Sequence, residues 1–169
     1  GSKMSKHLSN VMDPWEVFDR YGADPFRWYF FRENNPWLPT RFSPDAMLDT
    51  QKNFFLTLWN IYSFFVIYSN IDGFDPAKHT PPKSALDDSD LWILSRLQGT
   101  AKTVGENLEA YMVMPAARAV EQFVDDLSNW YVRRCRPRFW KGEKDDDKWA
   151  AYSTLHGVIV SLVKILAPF

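Results

Sequence analysis

Apolar side chains recur every three or four residues along most of this chain, and this helical periodicity constrains the fold more than any other feature of the sequence. Ser43-Pro44 predicts a helix start, because serine caps helices and proline suits their first turn. From there an apolar stripe predicts one long helix to about Ser69, with Met47, Leu48, Phe54, Phe55, Leu58, Ile61, Tyr62 and Phe65. The apolar run 54–68 is too short to span a bilayer, so we interpret it as a buried helix.

The other helices are predicted from the same signals. A short helix over 14–21 ends at Gly22, and Asp24-Pro25 predicts the start of a second one, with Asp24 as its cap and Pro25 at its first position. Later helices are predicted over 91–108, from Pro115 onward, and over 149–166. No segment alternates apolar and polar residues as a half-buried strand would.

This pattern predicts an all-α fold. Three or four long amphipathic helices joined by polar loops favour an antiparallel helical bundle, because each apolar stripe must be covered by another helix. The shorter helices of the first forty or so residues predict a small, mainly helical subdomain in front of the bundle. A chain of 169 residues, 46% of them hydrophobic, is long enough for this arrangement.

Charge and cysteine content exclude several classes of function. Twenty basic residues nearly balance 21 acidic ones, so nucleic-acid binding would have to come from a local patch. Cys135 is the single cysteine, which excludes an internal disulfide and a cysteine-rich zinc site. The three histidines lack the spacing of metal ligands or of a catalytic centre, so we predict no metal site. Without a signal peptide, we expect a cytoplasmic protein that does not bind membranes.

The richest local chemistry lies in SNWYVRRCRPRFWKG, at the end of the third long helix. Basic side chains lie among aromatic ones there: Arg133, Arg134, Arg136, Arg138 and Lys141 occur with Trp130, Tyr131, Phe139 and Trp140. Arginines bind phosphates and aromatic faces stack on bases, which together suit single-stranded RNA loops. Pro137 is predicted to end or kink the helix near Arg136, and the acidic run EKDDD that follows is interpreted as a solvated loop.

A structural alternative remains open for part of this segment. Trp130 and Tyr131 fall on the core stripe of the helix, which favours a structural role for both. Arg134 lies near the same seam, where its stem could cover apolar surface. Arg133 and Arg136 point away from the stripe and are the clearest candidates for a surface role.

A basic loop, KMSKH, stands at positions 3–7. The ammonium groups of Lys3 and Lys6 are three residues apart and can reach one polyanion, while Ser5 supplies a hydroxyl between them. This spacing by itself is typical of a solvated surface turn.

These segments together resemble class I aminoacyl-tRNA synthetases. KMSKHLSNVMDPWEVFDRYGADPFRWYF is similar to the KMSKS loop and following helices of that class. LDDSDLWILSRL and FVDDLSNWYVRRCRPRFWKG are similar to the isoleucyl-tRNA synthetase family in particular, with the valyl family as the nearest rival. The resemblance covers practically the whole chain. It implies a KMSKS loop and stem-contact region over 1–41 and a helical-bundle anticodon-binding domain over 42–169, cut short at its C-terminus.

The resemblance also implies a role for the basic loop. In that family the loop closes over ATP during amino-acid activation, so Lys6 is implied to be catalytic and to contact ATP, assisted by Lys3 and Ser5. His7 and Ser9 depart from the usual serine and glycine without removing a lysine. ATP with Mg²⁺ is therefore an expected cofactor of the full-length parent. The chain itself shows no HIGH-type motif and no nucleotide-fold strand pattern, so we expect it to bind no cofactor and to be inactive alone.

The implied macromolecular partner is the anticodon region of isoleucine tRNA, with contacts from Asn129, Trp130, Arg133, Arg136, Arg138 and Trp140. Trp140 is the best stacking candidate, because the methionyl enzyme also places a tryptophan after a proline at this end of the helix; a lid on the bundle's end is the alternative. The catalytic domain of the same parent is a second expected partner, and the parent is expected to be a monomer. A helical scaffold that binds another protein is the alternative function.

Overall fold

A computed structural model describes Met4, His7 and residues 11–169 of the chain. All the regular structure in this part is helical, which confirms the predicted all-α class. The eight α-helices of the described part are α1 (Pro14–Tyr21), α2 (Ala23–Glu33), α3 (Pro44–Thr50), α4 (Leu56–Asp72), α5 (Asp88–Glu109), α6 (Val113–Asp125), α7 (Arg133–Trp140) and α8 (Asp146–Leu166). Two π-helical turns, Gln51–Phe55 and Asp126–Val132, join α3 to α4 and α6 to α7.

A single glycine connects the first two helices. The carboxylate of Asp13 accepts a hydrogen bond from the Trp15 amide at 2.9 Å, and α1 ends at Gly22 as predicted. Gly22 has φ +88°, a conformation that glycine adopts without strain, and α2 begins at the next residue. Asp24 therefore lies inside the first turn of α2 and does not cap the helix, contrary to the prediction.

Aspartates cap α5 and α8, and both helices begin three residues earlier than predicted. The Asp87 carboxylate accepts from the Asp90 amide at 2.8 Å and the Asp90 carboxylate accepts from the Asp87 amide at 3.1 Å, a reciprocal capping box. Asp145 accepts from the Lys148 amide at 2.9 Å. The acidic runs are thus the first turns of these helices, where negative charge is favourable.

The long helices form the predicted bundle, in which α5 runs antiparallel to the continuous helix made of α6, the second π turn and α7. Arg96 of α5 pairs with Asp126 of the second π turn at 2.6 Å. Trp92, one turn before Arg96, lies beside Trp130, one turn after Asp126, so the two helices run in opposite directions. The core contains fully buried residues from α5, α6, the second π turn and α8: Ile93, Ala116, Val120, Phe123, Leu127, Leu155, Val158 and Leu162. Burial of this continuous apolar surface is the main stabilising contribution to the bundle.

Helices α1, α2 and α3 enclose a second, smaller core of Val17, Tyr21, Tyr29 and Met47. Trp28, on α2, reaches into the bundle instead, where its indole stacks on Phe54 with ring centres 4.2 Å apart. The N-terminal helices are therefore tied to the bundle by an aromatic contact. The division of the chain after residue 41 stays a prediction.

The apolar segment 54–68 is not the buried helix that its composition predicts. Ile61 is the one fully buried apolar residue of α4, whereas Trp59 and Ile71 on its outer face are 63% and 70% exposed. The prediction is wrong because apolar residues occur all round α4, while neighbouring helices cover one side of it. By length and composition alone, Pro44–Asp72 and Asp146–Leu166 could span a membrane; this is weak evidence, because core helices of soluble proteins also meet that criterion.

Candidate nucleic-acid interface

The second π turn and α7 expose one row of basic and aromatic side chains. We call this row the arginine face; it consists of Asn129, Trp130, Arg133, Arg134, Arg136 and Trp140. Residues on the opposite side of the same helix are buried in the bundle: Tyr131, Val132, Cys135 and Phe139. The structure therefore brings together five of the six residues for which the resemblance implies tRNA contacts, all but Arg138.

Trp130 lies on this face although the sequence places it on the core stripe. Tyr131 is 1% exposed, as predicted, but Trp130 is 54% exposed. The helix from Asp126 to Val132 is π-helical, so its turns are wider than the about 3.6 residues on which the prediction relied. This change of register turns the Trp130 indole towards solvent.

The helix continues through Pro137 to Trp140, so the predicted end near Arg136 is wrong, and the alternative of a kink at Pro137 stays a prediction. Pro137 lies on the exposed side of the helix. Proline has no amide hydrogen, so one helical hydrogen bond is missing, and water can reach the carbonyl that would have accepted it. The amide of Lys141 closes the helix by donating to the Pro137 carbonyl at 3.1 Å. Consequently the arginine face is one uninterrupted helical surface.

Three arginines supply the positive charge of this face. Within the described residues, none of Arg133, Arg134 and Arg136 has a carboxylate at ion-pair distance. The Arg134 guanidinium lies 5.2 Å from the centre of the Trp130 ring, in cation–π geometry. Their hydrogen-bond donors are thus available to an anionic partner.

Arg138 has a different role from the one that the resemblance implies. Its side chain is 11% exposed, and its guanidinium donates to both carboxylate oxygens of Asp90, at 3.0 and 2.8 Å. Its Nε also lies 2.8 Å from Oδ1 of Asp147. Burial opposes the charge, but the hydrogen bonds and charge of Asp90 prevail and raise the pKa of Arg138 above its ordinary value. The geometry makes Arg138 a structural residue, because its two terminal nitrogens already donate to Asp90 and to the Asp147 carbonyl.

Asp90 is the centre of this buried cluster. It is fully buried, and besides Arg138 and the Asp87 amide it accepts a hydrogen bond of 2.6 Å from the Tyr131 hydroxyl. Burial and then the charge of Asp90 raise the pKa of Tyr131 well above its ordinary value, so the hydroxyl stays a neutral donor. The cluster joins α5, the π turn and α7, and thereby fixes the position of the arginine face.

Lys141 is also occupied by neighbouring carboxylates. Its ammonium group lies 2.7 Å from Asp145 and 2.6 Å from Asp147. Burial opposes its charge, but hydrogen bonds to these two aspartates raise the pKa of Lys141 above its ordinary value. The acidic run after α7 is therefore not the freely solvated loop that the sequence indicates. It neutralises the end of α7 and leaves the positive charge on the arginine face.

Two further members of the face have defined surroundings. The Asn129 amide donates to Asp125 at 2.6 Å, which fixes the side chain and leaves its carbonyl oxygen available. The Trp140 ring lies 6.5 Å from the Tyr68 ring at an angle of 48°, and the side chain is 56% exposed. Trp140 is thus both a partial cover for the end of the bundle and an accessible aromatic surface.

Sequence reasoning missed Trp92, which lies beside Trp130 with ring centres 6.2 Å apart. Its position in WILSRL could have predicted this, because Trp92 lies beside the buried stripe of α5 that includes Ile93 and Leu97 and does not belong to it. A large aromatic residue off the apolar stripe of an amphipathic helix marks an accessible aromatic surface.

Lys3, Ser5 and Lys6 lie outside the described residues, so their implied contacts with ATP stay a prediction. Met4 and His7, which belong to the same loop, are exposed. Among the residues that the structure describes, no three His, Cys, Asp or Glu side chains converge as metal ligands would.

Similarity to known proteins defines the class. Residues 90–169 match the family model described as the anticodon-binding domain of tRNA ligase. Mycobacterium tuberculosis methionyl-tRNA synthetase bound by methionyl-adenylate shares the fold, with a TM-score of 0.81 and 21% identity over 98% of this chain and 33% of that one. So does the LeuRS of Agrobacterium radiobacter K84 in its complex with tRNA and LeuAMS, with a TM-score of 0.70 and 20% identity over 100% of this chain and 19% of that one. The helical bundle with its arginine face is an anticodon-binding domain of the tRNA-ligase class.

The sequence then identifies the family within that class. The chain is 51% identical over 169 residues to isoleucine–tRNA ligase of Clostridium acetobutylicum and 46% identical over 170 residues to that of Thermus thermophilus, and each match covers 100% of this chain. The chain belongs to the isoleucyl-tRNA synthetase family and represents its anticodon-binding region, which confirms the resemblance noted from its motifs. It spans about 16% of the length of these relatives.

Proposed function

We propose that the arginine face contacts the anticodon region of isoleucine tRNA, within an enzyme that attaches isoleucine to that tRNA using ATP. The observation that carries this proposal is the clustering of Arg133 and Arg136 with Trp130 and Trp140 on one exposed helical face. Guanidinium groups bind phosphates bidentately, and indole faces stack on unpaired bases. An anticodon loop presents phosphates and unpaired bases side by side.

The distribution of charge supports this proposal. The chain as a whole carries a net charge of −1, and the carboxylates next to α7 are paired with Arg138 and Lys141. The arginine face is therefore a local positive patch, which suits recognition of one anionic segment and not general attraction to nucleic acid. Each phosphate neutralised on a single strand steepens the dependence of log K on log salt by about 0.7.

The first prediction concerns the arginines of this face. Arg133→Ala and Arg136→Ala should each weaken binding of isoleucine tRNA and flatten the salt dependence by about 0.7 to 1 unit, because each removes a phosphate contact. Titrations of the chain with isoleucine tRNA at several salt concentrations measure both effects. Lys102→Ala is the matched control, since it removes an exposed positive charge from the middle of α5. An equal flattening by the control would show that binding does not depend on the arginine face.

The second prediction concerns Trp140. If its indole stacks on a base, Trp140→Ala should weaken tRNA binding about 5- to 150-fold, or about 1 to 3 kcal/mol, with little change in salt dependence. Trp140→Phe should retain part of this affinity. A large fall in melting temperature, with normal tRNA binding by the protein that remains folded, would instead make Trp140 a cover for the end of the bundle.

The other parts of the proposal concern the whole enzyme. Lys3, Ser5 and Lys6 are proposed to contact ATP there, with Mg²⁺ balancing the phosphate charge. The catalytic domain of the same parent is the proposed intramolecular partner, and the parent is proposed to be a cytoplasmic monomer. The support is the similarity to isoleucine–tRNA ligases along the whole chain.

A helical scaffold that binds protein is the second candidate, and the outer face of α4 favours it. Leu56, Trp59, Ile67 and Ile71 are each more than half exposed there. Such a surface is typical of a protein contact. If isoleucine tRNA does not bind at any salt concentration, protein binding is favoured over tRNA binding.

A further inference from the structure

A cleft between the first turns of α5 and the second π turn extends the arginine face. Two indoles form its walls, Trp92 at 37% exposure and Trp130 at 54%, with their planes tilted by 47°. Its volume is about 310 Å³, and Asp88, Ser89, Tyr131 and Arg134 complete the lining. We call this site the tryptophan cleft.

The shape of the cleft suits one flat ring. A ring held between two parallel indoles needs them about 7 Å apart, twice the contact distance of about 3.5 Å. The indole centres are 6.2 Å apart and the rings are tilted, so no base fits between them; a base can instead stack on the exposed face of one indole and meet the other at its edge. This arrangement suits a single unpaired base.

The polar groups of the cleft complement the rest of a nucleotide. Arg134, whose guanidinium lies over Trp130, brings donors for a phosphate to the cleft. Ser89 has a hydroxyl that donates or accepts, and Asp88 has a carboxylate that accepts from a ribose hydroxyl or from an N–H at a base edge. The cleft thus combines a cation for the phosphate, an aromatic surface for the base and an acceptor for the ribose or the base edge, which are the groups that bind a ribonucleotide.

The position of the cleft favours RNA as its ligand. Trp130 belongs both to the cleft and to the arginine face, and Arg133 lies within one helical turn of it. An RNA strand whose phosphates follow Arg133 and Arg136 would carry its next unpaired base past the cleft. We propose that the tryptophan cleft binds one unpaired base of the RNA held by the arginine face, with Trp92 as a stacking residue; this inference rests on the proposed function.

Substitution of Trp92 tests the inference. Trp92→Leu retains an apolar side chain but removes the aromatic face, and should weaken binding of isoleucine tRNA about 5- to 150-fold without changing the salt dependence. Trp92→Phe should restore part of the loss. Trp59→Leu is the matched control, because it removes a tryptophan that is 63% exposed on another helix, and affinity should not change. An unchanged affinity in Trp92→Leu, or an equal loss in the control, would overturn the inference.

A series of tRNAs, each lacking one base of the anticodon loop, identifies the base. At one position, removal of the base should weaken binding to the unmodified chain but not further weaken binding to Trp92→Leu, because both changes remove the same contact. Full additivity at every position would overturn the inference. If Trp92→Leu does not fold, Trp92→Phe takes its place in this comparison.

Failure of the two proposals can be told apart. If Arg133→Ala flattens the salt dependence while Trp92→Leu binds normally, the arginine face binds tRNA and the cleft does not take part. If the unmodified chain does not bind isoleucine tRNA at low salt, both proposals are overturned.

Discussion

Replacing Asp90 by alanine should lower the free energy of unfolding by about 3 to 5 kcal/mol, the usual cost of removing one partner from a buried ion pair. Asp90 is fully buried and accepts four hydrogen bonds, two of them from Arg138. Without it the buried Tyr131 hydroxyl loses its 2.6 Å acceptor, and the Arg138 guanidinium retains the carboxylates of Asp87 and Asp147 and the Asp147 carbonyl. Chemical denaturation of both proteins measures the difference.

Matched variants separate the ion pair from other effects. Asp90→Asn retains an acceptor of the same shape and should cost less than alanine. Asp88→Ala removes an exposed charge from the same helical turn and should change stability by about 1 kcal/mol or less. In a double-mutant cycle, Asp90→Ala and Arg138→Ala should together cost clearly less than the sum of the two. If the two losses of unfolding free energy add, or if Asp90→Ala is as stable as the unmodified chain, then the ion-pair cluster does not anchor α7.

This anchor has a functional consequence. Arg138 holds α7 against α5 through Asp90, and Arg134 and Arg136 project from the same helix. Loss of the anchor should therefore also weaken tRNA binding, although Asp90 itself is buried and cannot contact RNA. The arginine at 138 positions the arginines that face solvent.

Trp28→Ala should also cost about 3 to 5 kcal/mol, the range measured when a buried aromatic side chain is removed from a packed core. Trp28 is 3% exposed, stacks on Phe54 at 4.2 Å, and donates from Nε1 to Glu121 at 3.0 Å. Removal leaves a large cavity between α2 and the bundle, because the surrounding helices cannot close over it completely. Denaturation monitored by circular dichroism measures the loss.

Two controls accompany this variant. Trp28→Phe retains a ring for stacking on Phe54 but loses the hydrogen bond to Glu121. It should therefore lower the free energy of unfolding by about 1 to 2 kcal/mol. Trp15→Ala removes a tryptophan that is 72% exposed and should have a small effect. If Trp28→Ala is as stable as the unmodified chain, then α2 does not stabilise the bundle through this contact.

The sequence by itself determined the helical class, most helix positions and the segment that carries the candidate interface. These features depend on local chemistry: Asp13 caps a neighbouring amide, Gly22 accommodates a positive φ, and apolar residues repeat with the period of a helix. The family could be recognised for the same reason, because its motifs are short contiguous stretches that include Arg133 and Arg136.

Only the tertiary structure decided which of the basic and aromatic residues are accessible. Arg136 and Arg138 are two positions apart and chemically identical, yet Arg138 is buried, because Asp90, distant in sequence, lies beside it. Trp130 is exposed because the π turn changes the helical register, and Trp92 lies next to it because α5 runs antiparallel beside that turn. Burial and pairing depend on contacts between segments far apart in the chain, and local periodicity contains no information about those contacts.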